Sequence, residues 1–127
     1  MSLLPGAAAE GRFDVAGLSE QKVREFFAKL KSAVSARDVS GVAALTEFPL
    51  TLGGDVSITN ATMFTAKYDA IFTPKVIQAL KAQSFETLFS NWRGVMVGDG
   101  ELWFSGICDD PSCRSYRIRI TSISNTQ

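Results

Sequence analysis

The hydrophobic pattern of this chain changes period near residue 84. Before that point apolar residues recur at helical spacing, as in "KVREFFAKLKSAV". After it, "GVMVGDGELWF" and "YRIRIT" alternate residue by residue. A helix buries a stripe that returns every three or four positions, whereas a strand buries every second one. Helices that come first and strands that follow define an α+β chain, with helices packed on one face of an antiparallel meander.

The helical part carries its own start signals. Ser19 precedes "EQKVREFFAKLKSAVSARD" as an N-cap, with Glu20 in the first turn, where the helix dipole favours a negative charge. Val23, Phe26, Phe27, Leu30 and Val34 form one apolar stripe, and Lys22, Glu25, Lys29 and Lys31 occupy other faces. Asp38 caps a second helix over "VSGVAALTEF", with Val39, Val42 and Leu45 inward, and Pro49 cannot continue it. "FPLTLGGDVSIT" reads as two short strands about Gly53-Gly54. Asn60 caps "ATMFTAKYDAIF", whose Phe64, Tyr68, Ile71 and Phe72 share a face. Thr73 followed by Pro74 starts "TPKVIQALKAQ", with Val76, Ile77 and Leu80 as its buried stripe.

In the last third, Tyr116, Ile118 and Ile120 alternate with Ser115, Arg117, Arg119 and Thr121. Asp99-Gly100 is a tight-turn pair. Asp109 and Asp110 before Pro111 also read as turn residues. A phosphate loop needs more glycines and a following helix, and a calcium loop needs more alternating oxygen ligands than "DDPS" offers.

The length of 127 residues fits one domain, spanning residues 18–127. Residues 1–17, rich in Ala and Gly, read as a flexible tail: an expression remnant, or the mature start left by a trimmed signal peptide. Thirteen basic and thirteen acidic residues give zero formal charge, which removes the broad basic field that nucleic acid requires. The chain has no histidine, so a His-based triad or His metal site is excluded. Two cysteines alone do not make a structural zinc site, and no metal or cofactor is implied. No apolar run reaches the ~20 residues of a membrane span.

Cys108 and Cys113 flank "DDPS". Across a hairpin they would lie within disulfide reach, which implies an oxidising, periplasmic or otherwise exported setting; two reduced thiols at strand ends are the alternative. Trp103 alternates with Leu102 and Phe104, so one side of "ELWF" faces away from the main core. That makes Trp103, with Trp92, a hint of a ligand cavity or subunit interface, against ordinary core packing.

The element order, with "YDAIFTPKV" and "NWRGVMVGDGELWF", resembles the nuclear-transport-factor-2-like (cystatin-like) superfamily, in a branch of uncharacterised bacterial envelope proteins. The resemblance covers residues 19–124. It implies N-terminal helices packed on a curved antiparallel β-sheet, a cone-shaped cystatin-like roll in which the first helix lies across the bent sheet and encloses a pocket. Phe26, Phe27, Trp92 and Trp103 would line it. Members of that superfamily are enzymes or binding modules, often homodimers through the sheet.

Three functions are open at this stage. The first is a non-catalytic interaction domain of the cell envelope, binding a protein or small apolar molecule, as a homodimer. The second is an isomerase or lyase of the ketosteroid isomerase or polyketide cyclase kind, with Asp69 as carboxylate base and Tyr68 or Tyr116 as hydroxyl donor. Adjacent helical residues point about 100° apart, which works against the Tyr68–Asp69 pairing, and a core tyrosine beside a solvated acid is the plain alternative. The third is an inhibitor or immunity-type protein that binds through the Cys108–Cys113 loop, with Asp109 and Asp110 at its tip. Arg117 and Arg119 form either a small basic strip or a solvated face.

Overall fold

The computed structural model describes residues 11–124. Helix α1 (Glu20–Ser35) begins where the Ser19 hydroxyl oxygen accepts the Lys22 N–H, and it buries Val23, Phe26, Phe27, Leu30 and Val34. It ends through Arg37 in left-handed backbone (φ 54°), with the Asp38 N–H donating to the Ala33 carbonyl at 2.9 Å. Asp38 then caps α2 (Val39–Ala44) by accepting the Gly41 N–H at 3.1 Å.

The second helix is shorter than its sequence pattern predicts. It stops at Ala44, and strand β1 runs over Thr46–Leu52. Strand pairing overrides the helical pattern here, because β1 finds ladder partners on both sides. β2 (Ser57–Ile58) returns beside β1 with Leu50 opposite Ile58 and Thr51 opposite Ser57, around the expected Gly53-Gly54 turn.

The helical middle also divides. α3 (Ala61–Ala66) is capped by Asn60, and α4 (Tyr68–Ile71) follows a break at Lys67. The Lys67 N–H is shared between the Met63 and Phe64 carbonyls, so the last turn tightens and the axis does not continue. Thr73 caps α5 (Pro74–Ala82), with Pro74 at the first position. The chain then enters β3 (Phe89–Asn91), β4 (Gly94–Val97), β5 (Leu102–Cys108) and β6 (Tyr116–Ile123).

The six strands form one open sheet in the order β2-β1-β6-β5-β4-β3. The β3–β6 meander is antiparallel throughout. β1 runs parallel to β6, so the sheet is mixed and not the all-antiparallel sheet expected from sequence. A parallel neighbour needs a long crossover, and everything between β1 and β6 supplies it. In β6 the register shifts opposite Trp103 and Phe104: Trp103 faces Ser122 and Phe104 faces Ile120. Thr121 is the extra residue, and this bulge lets Ile120 and Ile123 both turn inward.

The core lies between the helices and one face of this sheet. Buried Leu50, Val95, Leu102, Phe104, Ile118 and Ile120 come from the strands, and the α1 stripe covers them. The Phe26 and Phe104 rings meet with centroids 4.9 Å apart. The domain also starts earlier than position 18. Phe13 is buried against Phe85, Arg12 donates to the Phe85 and Leu88 carbonyls, and Ser90 donates to the Arg12 carbonyl. Residues 11–17 therefore belong to the packed domain, because one aromatic ring and one arginine anchor them; the rest of the expected tail, residues 1–10, lies outside the described residues.

Candidate functional site

The four residues expected to line an internal pocket are not brought together. Phe26 and Phe27 are buried in the core beneath α1. Trp103 sits between Leu102 and Phe104, both wholly buried, so strand alternation turns its indole to the opposite face of the sheet. Trp92, in the β3–β4 turn, is 78% exposed.

Of the residues expected to carry acid–base chemistry, Tyr68 and Asp69 border one hollow, the first turned into the core and the second to solvent, and Tyr116 stands apart from both. Tyr68 is buried, stacked on Phe72 at 5.1 Å and edge-on to Phe64 at 5.8 Å. Asp69 faces outward and pairs with Arg37 at 2.7 Å, both side chains being largely exposed. Tyr116 ties β6 to α1: its hydroxyl accepts the Ser19 N–H at 2.9 Å, and the Lys22 ammonium lies 3.9 Å from its ring centre.

Cys108 and Cys113 form a disulfide, with Cα atoms 4.8 Å apart. The acids between them hold the loop itself. Asp109 accepts from the Ser115 hydroxyl and from the Arg117 guanidinium. The Ser112 hydroxyl, 2.7 Å from Asp110, holds that carboxyl below the usual range; desolvation opposes it, and the backbone N–H groups of Arg114, Cys113 and Ser112 each add a smaller effect in the lowering direction. Arg117 is thus part of the loop's internal bonding, and Arg119 donates to the Ile118 carbonyl at 2.7 Å.

The most developed surface is the sheet face turned away from the helices. Strand register aligns Phe89, Met96, Trp103, Ser122, Thr51 and Ser57 as one row, a residue from each strand. Its β3–β5 end is apolar, and Phe89 is 51% exposed. The Arg93 guanidinium lies 5.4 Å from the Trp103 ring and 5.9 Å from the Trp92 ring, within cation–π range of both. Sequence reasoning singled out the two tryptophans and missed Phe89, Met96 and Arg93. Their signal was alternation: Phe89 and Met96 alternate with buried Leu88, Val95 and Val97.

Among the described residues no group of three or more His, Cys, Asp or Glu side chains is arranged to hold a metal ion. Nor is any described helix long and apolar enough to cross a membrane. Comparison with known protein families, with curated proteins and with solved structures finds no match to this chain.

Proposed function

We propose that this chain is a non-catalytic interaction domain of the bacterial cell envelope, of the nuclear-transport-factor-2-like cone type, that pairs with a second copy through the outer face of its sheet. The observation that carries this reading is the in-register row Phe89–Met96–Trp103 beside the exposed Trp92. Large aromatic side chains left in water on an otherwise ordered sheet mark an interface, since covering each contributes roughly 1.5–3 kcal/mol. Arg93 beside two indoles adds the residue types that dominate binding energy at interfaces. The helix order and the meander support the cone assignment. The disulfide is compatible with an oxidising, exported compartment.

The non-catalytic part of the reading rests on the candidate acid–base groups. Asp69 is ion-paired at the surface, the Tyr68 hydroxyl is sealed from solvent in the core, and Tyr116 lies against Ser19 and Lys22, so neither hydroxyl shares an open space with that carboxylate.

Light scattering with size separation, across micromolar to millimolar protein, tests the pairing. The wild type is expected to dimerise, and Phe89→Ser with Trp92→Ser to leave a folded monomer by circular dichroism. A wild type that stays monomeric throughout, or a double variant that dimerises as well as the wild type, overturns it.

A further inference from the structure

Strand β6 is longer than the neighbour on one of its sides. β5 pairs with it from Tyr116 to Ile123, whereas β1 pairs with it only from Ile120 onward. Residues 116–119 are therefore an open edge on the β1 side of a central strand. The backbone groups of successive strand residues point to opposite edges, and three bonds fix their direction here. The Ile120 N–H donates to the Leu45 carbonyl, on the β1 side. The Tyr116 carbonyl accepts from the Lys22 ammonium at 2.9 Å, and the Ile118 carbonyl from the Arg119 guanidinium at 2.7 Å. Tyr116 and Ile118 thus turn both N–H and C=O towards the open edge, where neither N–H has a strand to donate to.

A hollow of about 160 Å³ lies along this edge, next to Leu45, the residue before β1. Ile118 and Arg119 border it on the strand side, and Lys22, Phe26 and Lys29 on the α1 side. Glu25 is the one acid on its wall, and Gln21 donates to that carboxylate at 2.7 Å. Three cations against one acid favour an anionic occupant. They disfavour the same edge of a second copy, which would set each cationic group against its like. We infer that residues 116–119 of β6 accept an extended acidic peptide segment as an added strand. Its carbonyls take the Tyr116 and Ile118 N–H groups, and its N–H groups replace Lys22 and Arg119 on the two carbonyls. Its carboxylates receive the cations so released, with Lys29 beside them. Phe89, Met96 and Trp103 take no part, so the inference stands apart from the pairing of two copies.

The test is an amide chemical-shift and hydrogen-exchange titration of the full chain with the blocked peptide acetyl-Val-Glu-Val-Glu-Val-amide. Saturable shifts at Leu45 and residues 116–120 are expected, with exchange slowed about tenfold or more at Tyr116 and Ile118. The same peptide N-methylated throughout keeps its charges but has no N–H to offer, and is expected to give no protection. The lysine counterpart, acetyl-Val-Lys-Val-Lys-Val-amide, meets like charge and is expected to give none either. Lys29→Gln removes charge from the groove and leaves both capped carbonyls in place; it is expected to weaken binding about two- to fivefold. Absence of protection by the acidic peptide overturns the inference, as does equal protection by either control peptide or undiminished binding by Lys29→Gln. Protection that grows with protein concentration in the absence of peptide places a second copy on the edge and overturns it too. The dispersion of the variant's spectrum reports its folding in the same measurement.

Discussion

The hydroxyl of Tyr116, the first residue of the last strand, accepts the backbone N–H of Ser19, the residue that caps the first helix, at 2.9 Å. The two ends of the described fold are joined by that bond and by Lys22, which donates to the Tyr116 carbonyl at 2.9 Å. Tyr116→Phe keeps the ring under the Lys22 ammonium and loses only the acceptor. A loss of about 0.5–1 kcal/mol is expected in urea unfolding, at the small end because water can reach the Ser19 N–H.

Tyr68→Phe is expected to act in the opposite direction. Deleting a buried hydroxyl that has no partner removes a desolvation cost, so the variant should equal or exceed the wild type by up to about 1 kcal/mol near neutral pH.

The same residue sets an alkaline pH dependence. The folded-state pKa of Tyr68 lies above its ordinary value of 10.0, chiefly because burial disfavours the phenolate. Above pH 10 the unfolded chain releases this proton while the folded chain retains it, so the unfolded state gains. The contribution is fully present below pH 10 and is lost as pH climbs towards the folded-state pKa. Thermal melts between pH 9 and pH 11.5 should therefore fall more steeply for the wild type than for Tyr68→Phe. Parallel falls would remove Tyr68 as the cause.

Reduction of the disulfide should loosen one end of the sheet and spare the rest. Closing so short a loop contributes roughly 2 kcal/mol in the chain-entropy picture. Cys108→Ser with Cys113→Ser is expected to lose about that much by urea unfolding. Amide exchange should rise at residues 107–117 and remain slow at Phe104 and Ile120, which are paired deeper in the same hairpin.

Gly94 tolerates no side chain. Its backbone has φ 135°, and a Cβ there would run into the Phe104 carbonyl oxygen and come within 3.0 Å of the Ser105 Cβ. Gly94→Ala is expected to cost about 1–3 kcal/mol and to disturb the β3–β4 turn that carries Trp92 and Arg93. The combination would show as lower stability together with weaker dimerisation.

What the sequence revealed follows from the range of each interaction. Ser19, Asp38, Asn60 and Thr73 are all legible as caps because a cap involves an N–H three residues away. The Asp99-Gly100 turn and the Cys108–Cys113 pairing are local in the same sense. The end of α2 at Ala44 is not legible, since Thr46 becomes a strand residue through pairing with Ile120 at the other end of the chain. For the same reason the parallel β1–β6 contact has no signature in either segment. Trp103 stands out by residue type, but its row with Phe89 and Met96 depends on strand register, which only the assembled sheet defines. Nothing in the spacing of Tyr68 discloses that its hydroxyl lacks a partner, because the Arg37 guanidinium is brought over its ring by the α1–α2 turn.

The central position of β6 has a consequence for how the protein is made. The sheet joins its β1–β2 hairpin to its β3–β5 ribbon through residues 116–123 alone. Until these residues pair, the chain holds two separate pieces of sheet with open inner edges and no ladder between them. Assembly is complete only when the last strand slots between them, as a keystone closes an arch, and a factor that holds unpaired strands has its longest opportunity in that interval.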